Sequence, residues 1–326
     1  MELYEKNGNI LYVLNILKKH SNADHILSSN KIKELIESEY NVSLDSRTIR
    51  RNINLLIEKF GYDIEKYEEN NRGYFIRRDP EYEFEPGELS AILNTFAYSN
   101  FIPESMSNAI IDKCLSMMDV YEKDKYKNYK ASIKNTRTDN QEIIKNIEDI
   151  NEAIYRGKKI IFDYYRYELD KKLEYECVGK IKTSPKRLVY ALQKFYLICQ
   201  DEGKKELFSR RLDRMGNIEI LKEKASKKYD DNEIDFFIKS NVSMLSGDTE
   251  KVEIECDMSI LDNVVELYGK DIKLTKLDDN KFYASFYTTV KGFRYWCLRN
   301  IETVKVLSPI SLVKDIKKTI KESNYE

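Results

Sequence analysis

Read for hydrophobic and polar positions alone, the first sixty residues carry three helical stripes. Over residues 9–19 the apolar positions are Ile10, Val13, Leu14 and Leu17, the spacing of one buried helix face. A polar stretch, HSNADHILSSN, follows. Ile32, Leu35 and Ile36 then repeat the pattern behind a cap at Ser28, Ser29 or Asn30. After NVSL a third helix is predicted from Asp45 or Ser46, with Ile49, Ile53, Leu56, Ile57 and Phe60 as its stripe. Gly61 falls at its C′ position. There the period changes to two: Tyr62, Ile64 and Tyr67 alternate, ENNRG turns, and Tyr74, Phe75 and Ile76 return as a hairpin.

Three short helices with a hairpin directly behind them make a winged helix-turn-helix. Arg47, Arg50 and Arg51 stand at i, i+3 and i+4 of the third helix and share a face away from its stripe. In this arrangement the N-terminal part of the third helix enters the DNA major groove. Arg47, Thr48, Arg50, Arg51 and Asn54, with Arg72 at the hairpin tip, are therefore the candidate DNA contacts. Guanidinium forks suit phosphate oxygens and guanine edges. Charge clusters are usually solvated helix faces. Here the basic face opposes the apolar stripe and a wing follows, which favours DNA.

Residues 79–140 read mainly as helix, with Pro86 at a helix start, apolar spacing at Leu89, Ile92, Leu93 and Phe96, and again at Ile110, Ile111 and Leu115. EKDKYKNYKASIKNTRTDNQ reads as a polar linker. From residue 141 a helix ending at Gly157 leads into KIIFDYYRY, a strand, and then a string of short strands turning at TSPK, DEGKK and RMGN. Such spacing predicts a small Sm- or SH3-like β-barrel. The remainder reads as strand, helix, strand, strand, helix, strand, helix. The fold class expected is thus multidomain α+β: winged helix-turn-helix (1–80), helical connector (81–140), β-barrel (141–225) and a C-terminal βαββαβα domain (226–326).

The stretch SPKRLVYALQKFYLICQ…FSRRLDRM resembles the WYL domain of bacterial transcription regulators. Pro185 and Leu188 precede a core strand reading Phe195-Tyr196-Leu197, with phenylalanine in place of the family's tryptophan. Arg211-Leu212-Asp213-Arg214 follows as a second strand. The last hundred residues are similar to the extension that accompanies many WYL domains, with Trp296-Cys297 in its second helix and Leu307-Ser308-Pro309 before the last. The resemblance implies a basic groove that binds a nucleic-acid or nucleotide-type effector. Mapped onto this chain, its residues are Tyr196, Arg211 and Arg214, with Asp213 orienting an arginine, and more loosely Tyr165 and Arg166. Arginines supply forked donors to phosphate and tyrosines a stacking face. The alternative for the Arg-Leu-Asp-Arg segment is a set of internal ion pairs. Phe195 is expected in the core.

Composition narrows the partners. The chain has 326 residues, 41% hydrophobic and 34% charged, with a formal net charge of -1, so any nucleic-acid affinity must come from a local patch. Residues 1–78 carry barely more Lys and Arg than Asp and Glu, which predicts modest affinity per copy and a homodimer. The five cysteines are scattered and never spaced as CxxC, which reads as reduced, mostly buried thiols. MELYEKNGNILYV lacks an apolar core and no apolar run is of membrane-spanning length, so a cytoplasmic protein without a membrane partner is expected. The only histidines are His20 and His25, and there is no glycine-rich phosphate loop, metal-ligand cluster or convincing carboxylate pair. No cofactor or metal is implied. The expectation is a non-enzymatic regulator bound to a double-stranded DNA operator, its WYL groove reading a nucleic-acid or nucleotide effector. A nucleic-acid-binding accessory subunit is the alternative, and a nucleic-acid-processing enzyme, for which the residues offer little, a third.

Overall fold

The computed structural model describes residues 2–67, 73–77, 83–131, 137–167, 175–245 and 247–322. The chain divides into two compact units: Met1–Ser99 with Pro103–Arg137, and Asn100–Ile102 with Thr138–Glu326.

In the first unit α1 (Glu2–His20), α2 (Ser29–Tyr40) and α3 (Ser46–Glu58) are followed by β1 (Ile64–Tyr67) and β2 (Gly73–Ile76), an antiparallel pair. Their apolar stripes meet in one core of Val13, Ile16, Leu17, Ile32, Ile36, Ile49, Ile53 and Leu56, which β1 and β2 close with Ile64 and Ile76. Ser28 caps α2 by accepting from the Lys31 amide, and Asp45 caps α3 by accepting from the Arg47 and Thr48 amides. Two details differ from the sequence reading. α3 ends at Glu58, so Phe60 leaves the stripe and is 65% exposed, and Gly61 takes its left-handed φ of 72° beyond the C-cap, Lys59.

The hairpin is anchored to the α1–α2 loop. Leu27 and Tyr74 exchange backbone hydrogen bonds at 2.9 Å, and a Cβ on Gly73 would come within 2.7 Å of both Ile26 and the Leu27 carbonyl oxygen. Glycine is required there by close backbone approach rather than by φ. Beyond the hairpin, α4 (Pro86–Tyr98) and α5 (Glu104–Ser116) pack through Leu89, Leu93, Ala97, Ile111 and Leu115. A short helix, α6 (Val120–Lys125), capped by Asp119, runs into the stretch expected as a linker. Arg137, also from that stretch, is buried and donates to the Phe96 and Ala97 carbonyls, satisfying the C-terminal end of α4.

The second unit starts its regular structure with α7 (Ile143–Tyr155) and the strands β3 (Lys158–Tyr167), β4 (Tyr175–Ala191), β5 (Lys194–Asp201), β6 (Phe208–Arg211) and β7 (Met215–Lys224). They form one antiparallel sheet in the order β6-β5-β4-β3-β7, on which α7 lays Ile143, Ile150 and Ala153. The expected closed barrel is not formed among the described residues. The edge strands β6 and β7 are joined by a tight 3-10 turn, Leu212–Arg214, that carries the chain across without pairing them. Arg-Leu-Asp-Arg is accordingly a strand end plus a turn rather than a strand. TSPK is no turn either: β4 runs through it for 17 residues, with a register shift between Pro185 and Arg187 that absorbs the proline's missing donor.

The rest of the chain is α8 (Asp231–Ser240), β8 (Thr249–Asp257), α9 (Leu261–Tyr268), β9 (Lys273–Lys276), β10 (Lys281–Thr289), α10 (Val290–Arg299), β11 (Val304–Ser308) and α11 (Ile310–Lys321). The sheet order β11-β8-β10-β9 is all antiparallel between neighbours, the split βαβ arrangement. Inward positions 252, 254 and 256 of β8 and 282, 284 and 286 of β10 meet Val264, Phe293, Cys297, Leu312 and Ile316 of its helices. Cys199, Cys256 and Cys297 are buried, and burial pushes the Cys199 and Cys256 thiols up to about 12; Cys177 is exposed. No described helix is long and apolar enough to cross a membrane.

Candidate functional site

Two clusters of cations stand out, one in each unit. The first lies on α3. Burying Ile49, Asn52, Ile53 and Leu56 turns Arg47, Arg50 and Arg51 to solvent, and none of the three has an ion-pair partner among the described residues. Arg47 is electrostatically adverse in its place, since the first turn of a helix carries the positive end of its dipole, where cations lose stability and anions gain it. Arg50 and Arg51 follow one turn on and crowd the same face with like charge. Asp45, at the cap, is the local counterweight: hydrogen bonds from the Thr48 amide and hydroxyl, and then the Arg47 amide, hold its carboxyl below the usual range.

Thr48 and Asn54, grouped with the arginines by spacing, are engaged within the fold. The Thr48 hydroxyl donates to Asp45 at 2.9 Å, and the Asn54 amide oxygen accepts from Lys66 Nζ at 2.8 Å. Lys66, on β1, is thereby drawn beside α3 and adds a cation that the sequence reading overlooked. Arg72 lies outside the described residues.

The second cluster forms where β5, β6 and the 3-10 turn meet. Tyr196 pairs across the sheet with Arg211. Arg211 then forks onto Asp213, its Nε 3.0 Å from Oδ1 and its Nη2 2.7 Å from Oδ2, a bidentate pair. Lys194 Nζ reaches the same Oδ2 at 3.3 Å. The Asp213 side chain is only 2% exposed. Asn140 and Asn146, from the segment leading into and along α7, fix the turn from behind by donating to the Asp213 and Met215 carbonyls. Arg214 is half-buried, and its Nε is buried without a hydrogen-bond partner. Arg211 and Lys194 thus share one carboxylate, and Arg214 lies near enough for its charge to bear on Lys194 and Tyr196.

The two partners of Asp213 are not equal. Burial pushes the Asp213 carboxyl up, yet hydrogen bonding and charge from Arg211, and then Lys194, outweigh it and hold the group below its ordinary range. Burial pushes the Lys194 ammonium down, and Asp213 does not restore it; Arg211 and Arg214 press in the same downward direction. The carboxylate is matched chiefly by the Arg211 fork, which leaves Lys194 the less compensated ion. Burial also raises the Tyr196 phenol, with Arg211 opposing.

The structure therefore brings Tyr196, Arg211, Asp213 and Arg214 together and adds Lys194. It does not add Tyr165 and Arg166. A register shift between Tyr164 and Tyr165 turns Tyr165 toward Gly216, Asn217 and Glu142, while Arg166 is exposed. Tyr164 is the tyrosine near Tyr196, and Arg210 stands over its ring at 5.6 Å. Lys194 was detectable: it stands two residues before Tyr196 on one strand, hence on the same face. Phe195 faces the other way and packs edge-on against Phe101 at 5.0 Å.

The domain is thus a small antiparallel sheet, backed by one helix, with a half-buried cluster of cations about one carboxylate at one end. Residues 145–220 match the WYL domain family, and the chain carries a WYL domain over that span. No curated protein matches the chain. Among solved structures it is similar to proteasome accessory factor B/C of Arthrobacter aurescens, with 15% identity over 97% of this chain and 48% of that one and a TM-score of 0.30. It is also similar to a CRISPR Cas-related protein, with 16% identity over 97% of this chain and 82% of that one and a TM-score of 0.38. The chain spans about half the length of the first of these proteins.

Proposed function

We propose that this protein is a DNA-binding transcription regulator whose WYL domain binds an anionic effector of the nucleic-acid or nucleotide type. In this reading residues 1–80 read the operator, 81–140 connect, 141–225 bind effector and 226–326 form the extension. One third helix contacts one half-site, so the working form is a homodimer. The observation that carries the proposal is the set of three exposed arginines on one face of the N-terminal half of α3, without an ion-pair partner among the described residues. Like charges crowded on one helix face repel one another, and phosphates laid against them replace that repulsion by attraction. Asp45, Thr48, Asn54 and Lys66 hold that helix and the first wing strand in place, with Lys66 adding to the field.

The test is DNA binding by the full chain against its own upstream DNA at several salt concentrations. Wild type should show a steep fall of affinity with salt. Substituting Arg47, Arg50 and Arg51 together by alanine should abolish specific binding and lower the salt slope by about 2 to 3, since each phosphate contact contributes about 0.9. The variant should keep its helical circular dichroism, because all three side chains are exposed. Undiminished specific binding by that variant would overturn the proposal.

A further inference from the structure

The α4–α5 turn belongs to the sheet-containing unit, although both helices belong to the other. Asn100–Ile102 is held there by several contacts. The Asn100 carbonyl oxygen accepts from Lys194 Nζ at 2.8 Å and from the Thr138 amide at 3.2 Å. The Asn100 side-chain amide donates to Gln193 Oε1 at 3.2 Å. Phe101, only 5% exposed, sits edge-on to both Phe195 and Tyr190. The residues that receive it form the β4–β5 hairpin, whose tip Leu192-Gln193 has φ of 49° and 58°. Two consecutive non-glycine residues in the left-handed region, one of them leucine, are backbone strain that the surroundings must hold.

Lys194 is the hinge of this arrangement. One ammonium serves Asp213 in the cation cluster and the Asn100 carbonyl in the turn, two partners among the described residues for its three donors. It is also the cluster's less compensated cation, and its side chain is 13% exposed. An anion entering beside Arg211 and Arg214 offers Lys194 a stronger acceptor than a neutral carbonyl.

We infer that Lys194 couples the effector cluster to the α4–α5 turn: an anion bound at Arg211 and Arg214 draws the ammonium away from Asn100 and loosens the Asn100–Ile102 tether. The inference rests on the reading of this cluster as the effector site and adds how that site is heard elsewhere in the chain. Coupling requires that the anion bind the released arrangement better than the tethered one, and the contest for Lys194 supplies that difference. No new site is needed for the signal. The residue that recognises the anion is the residue that holds the turn.

The test uses the full chain and a short single-stranded oligodeoxynucleotide as the anionic probe. Hydrogen exchange of the wild type is followed over residues 95–105 with and without saturating probe, and operator affinity is measured in both states. Release predicts faster exchange confined to that segment and an operator affinity shifted at least about fivefold, the lower end of ordinary allosteric coupling. Lys194→Met keeps the aliphatic stem and removes the charge. It should exchange quickly without probe and need more probe to saturate, since one contact to the anion is lost; once saturated through Arg211 and Arg214 it should show less than about a twofold shift in operator affinity. Probe binding to wild type without any change over 95–105, or a full affinity shift in Lys194→Met, overturns the coupling and leaves the effector site standing. Failure of wild type to bind the probe overturns the site and the coupling together. The wild-type exchange measurement decides the matter even if the variant does not fold.

Discussion

Asp213 shows most directly how one residue fixes this site. It is buried, it takes both prongs of Arg211 and it shares an oxygen with Lys194. Removing one member of a buried ion pair leaves an unmatched charge and costs about 3 to 5 kcal/mol. Asp213→Asn should therefore lower unfolding stability by about 3 kcal/mol in a urea titration; a loss below about 1 kcal/mol would mean that water already neutralises the cluster. The pH dependence has a definite sign. The folded-state pKa of Asp213 lies below its unfolded value of about 3.9. Its contribution is thus fully present above about pH 4 and is lost as pH falls through the folded value. The wild type should lose this increment on acidification, and Asp213→Asn should show a flatter stability profile below about pH 4.

At the scale of elements, the hairpin depends on a single close approach. Gly73→Ala would drive a methyl into the Leu27 carbonyl and the Ile26 side chain, so the Leu27–Tyr74 bonds must stretch. The expected loss is about 1 to 3 kcal/mol, as for overpacking, read as a lowered melting temperature with an unchanged far-ultraviolet spectrum at low temperature. An unaltered melting curve would show that the loop and hairpin can part freely. Much of this level was legible in the sequence. The periods of α1, α2 and α3 and the alternation behind them give the first unit its elements, because each buries one face of its own stripe. The strand–helix order after residue 250 was legible for the same reason. What escaped was decided by distant partners. Pro185 looked like a turn because its missing donor is absorbed only by a bulge against β5. Arg211–Arg214 looked like a strand because the pull of Asp213 onto Arg211, and the two asparagines behind the turn, come from residues outside the motif. Tyr165 and Arg166 came from the family resemblance, and the register shift that sets Tyr164 rather than Tyr165 near Tyr196 cannot be seen from one strand alone.

The molecule as a whole has separate hydrophobic cores in its two units. Val13, Ile32, Ile53 and their neighbours form one in the first; Val252, Ile254, Phe286 and Phe293 form another in the second. Units with their own cores need not unfold together. Ile53→Ala, at a position with no exposure, should cost about 2 to 5 kcal/mol. That loss should appear in one calorimetric transition, while Ile254→Ala should shift a different one. If both substitutions moved a single transition equally, the units would have to be treated as one cooperative body.

The open order of the five-stranded sheet has a consequence for solubility. A closed barrel has no edges, whereas among the described residues this sheet ends in two edge strands, β6 and β7, and an edge strand can act as a template for the next chain. The β6 edge is four residues long and includes Arg210 and Arg211, and β7 ends in Lys222, Glu223 and Lys224. Short length and charge are what keep such an edge from recruiting a neighbour. Arg211, proposed to hold an effector, thus also helps guard the chain against fibrous growth, so a substitution there aimed at ligand specificity carries an aggregation hazard that activity assays alone would miss.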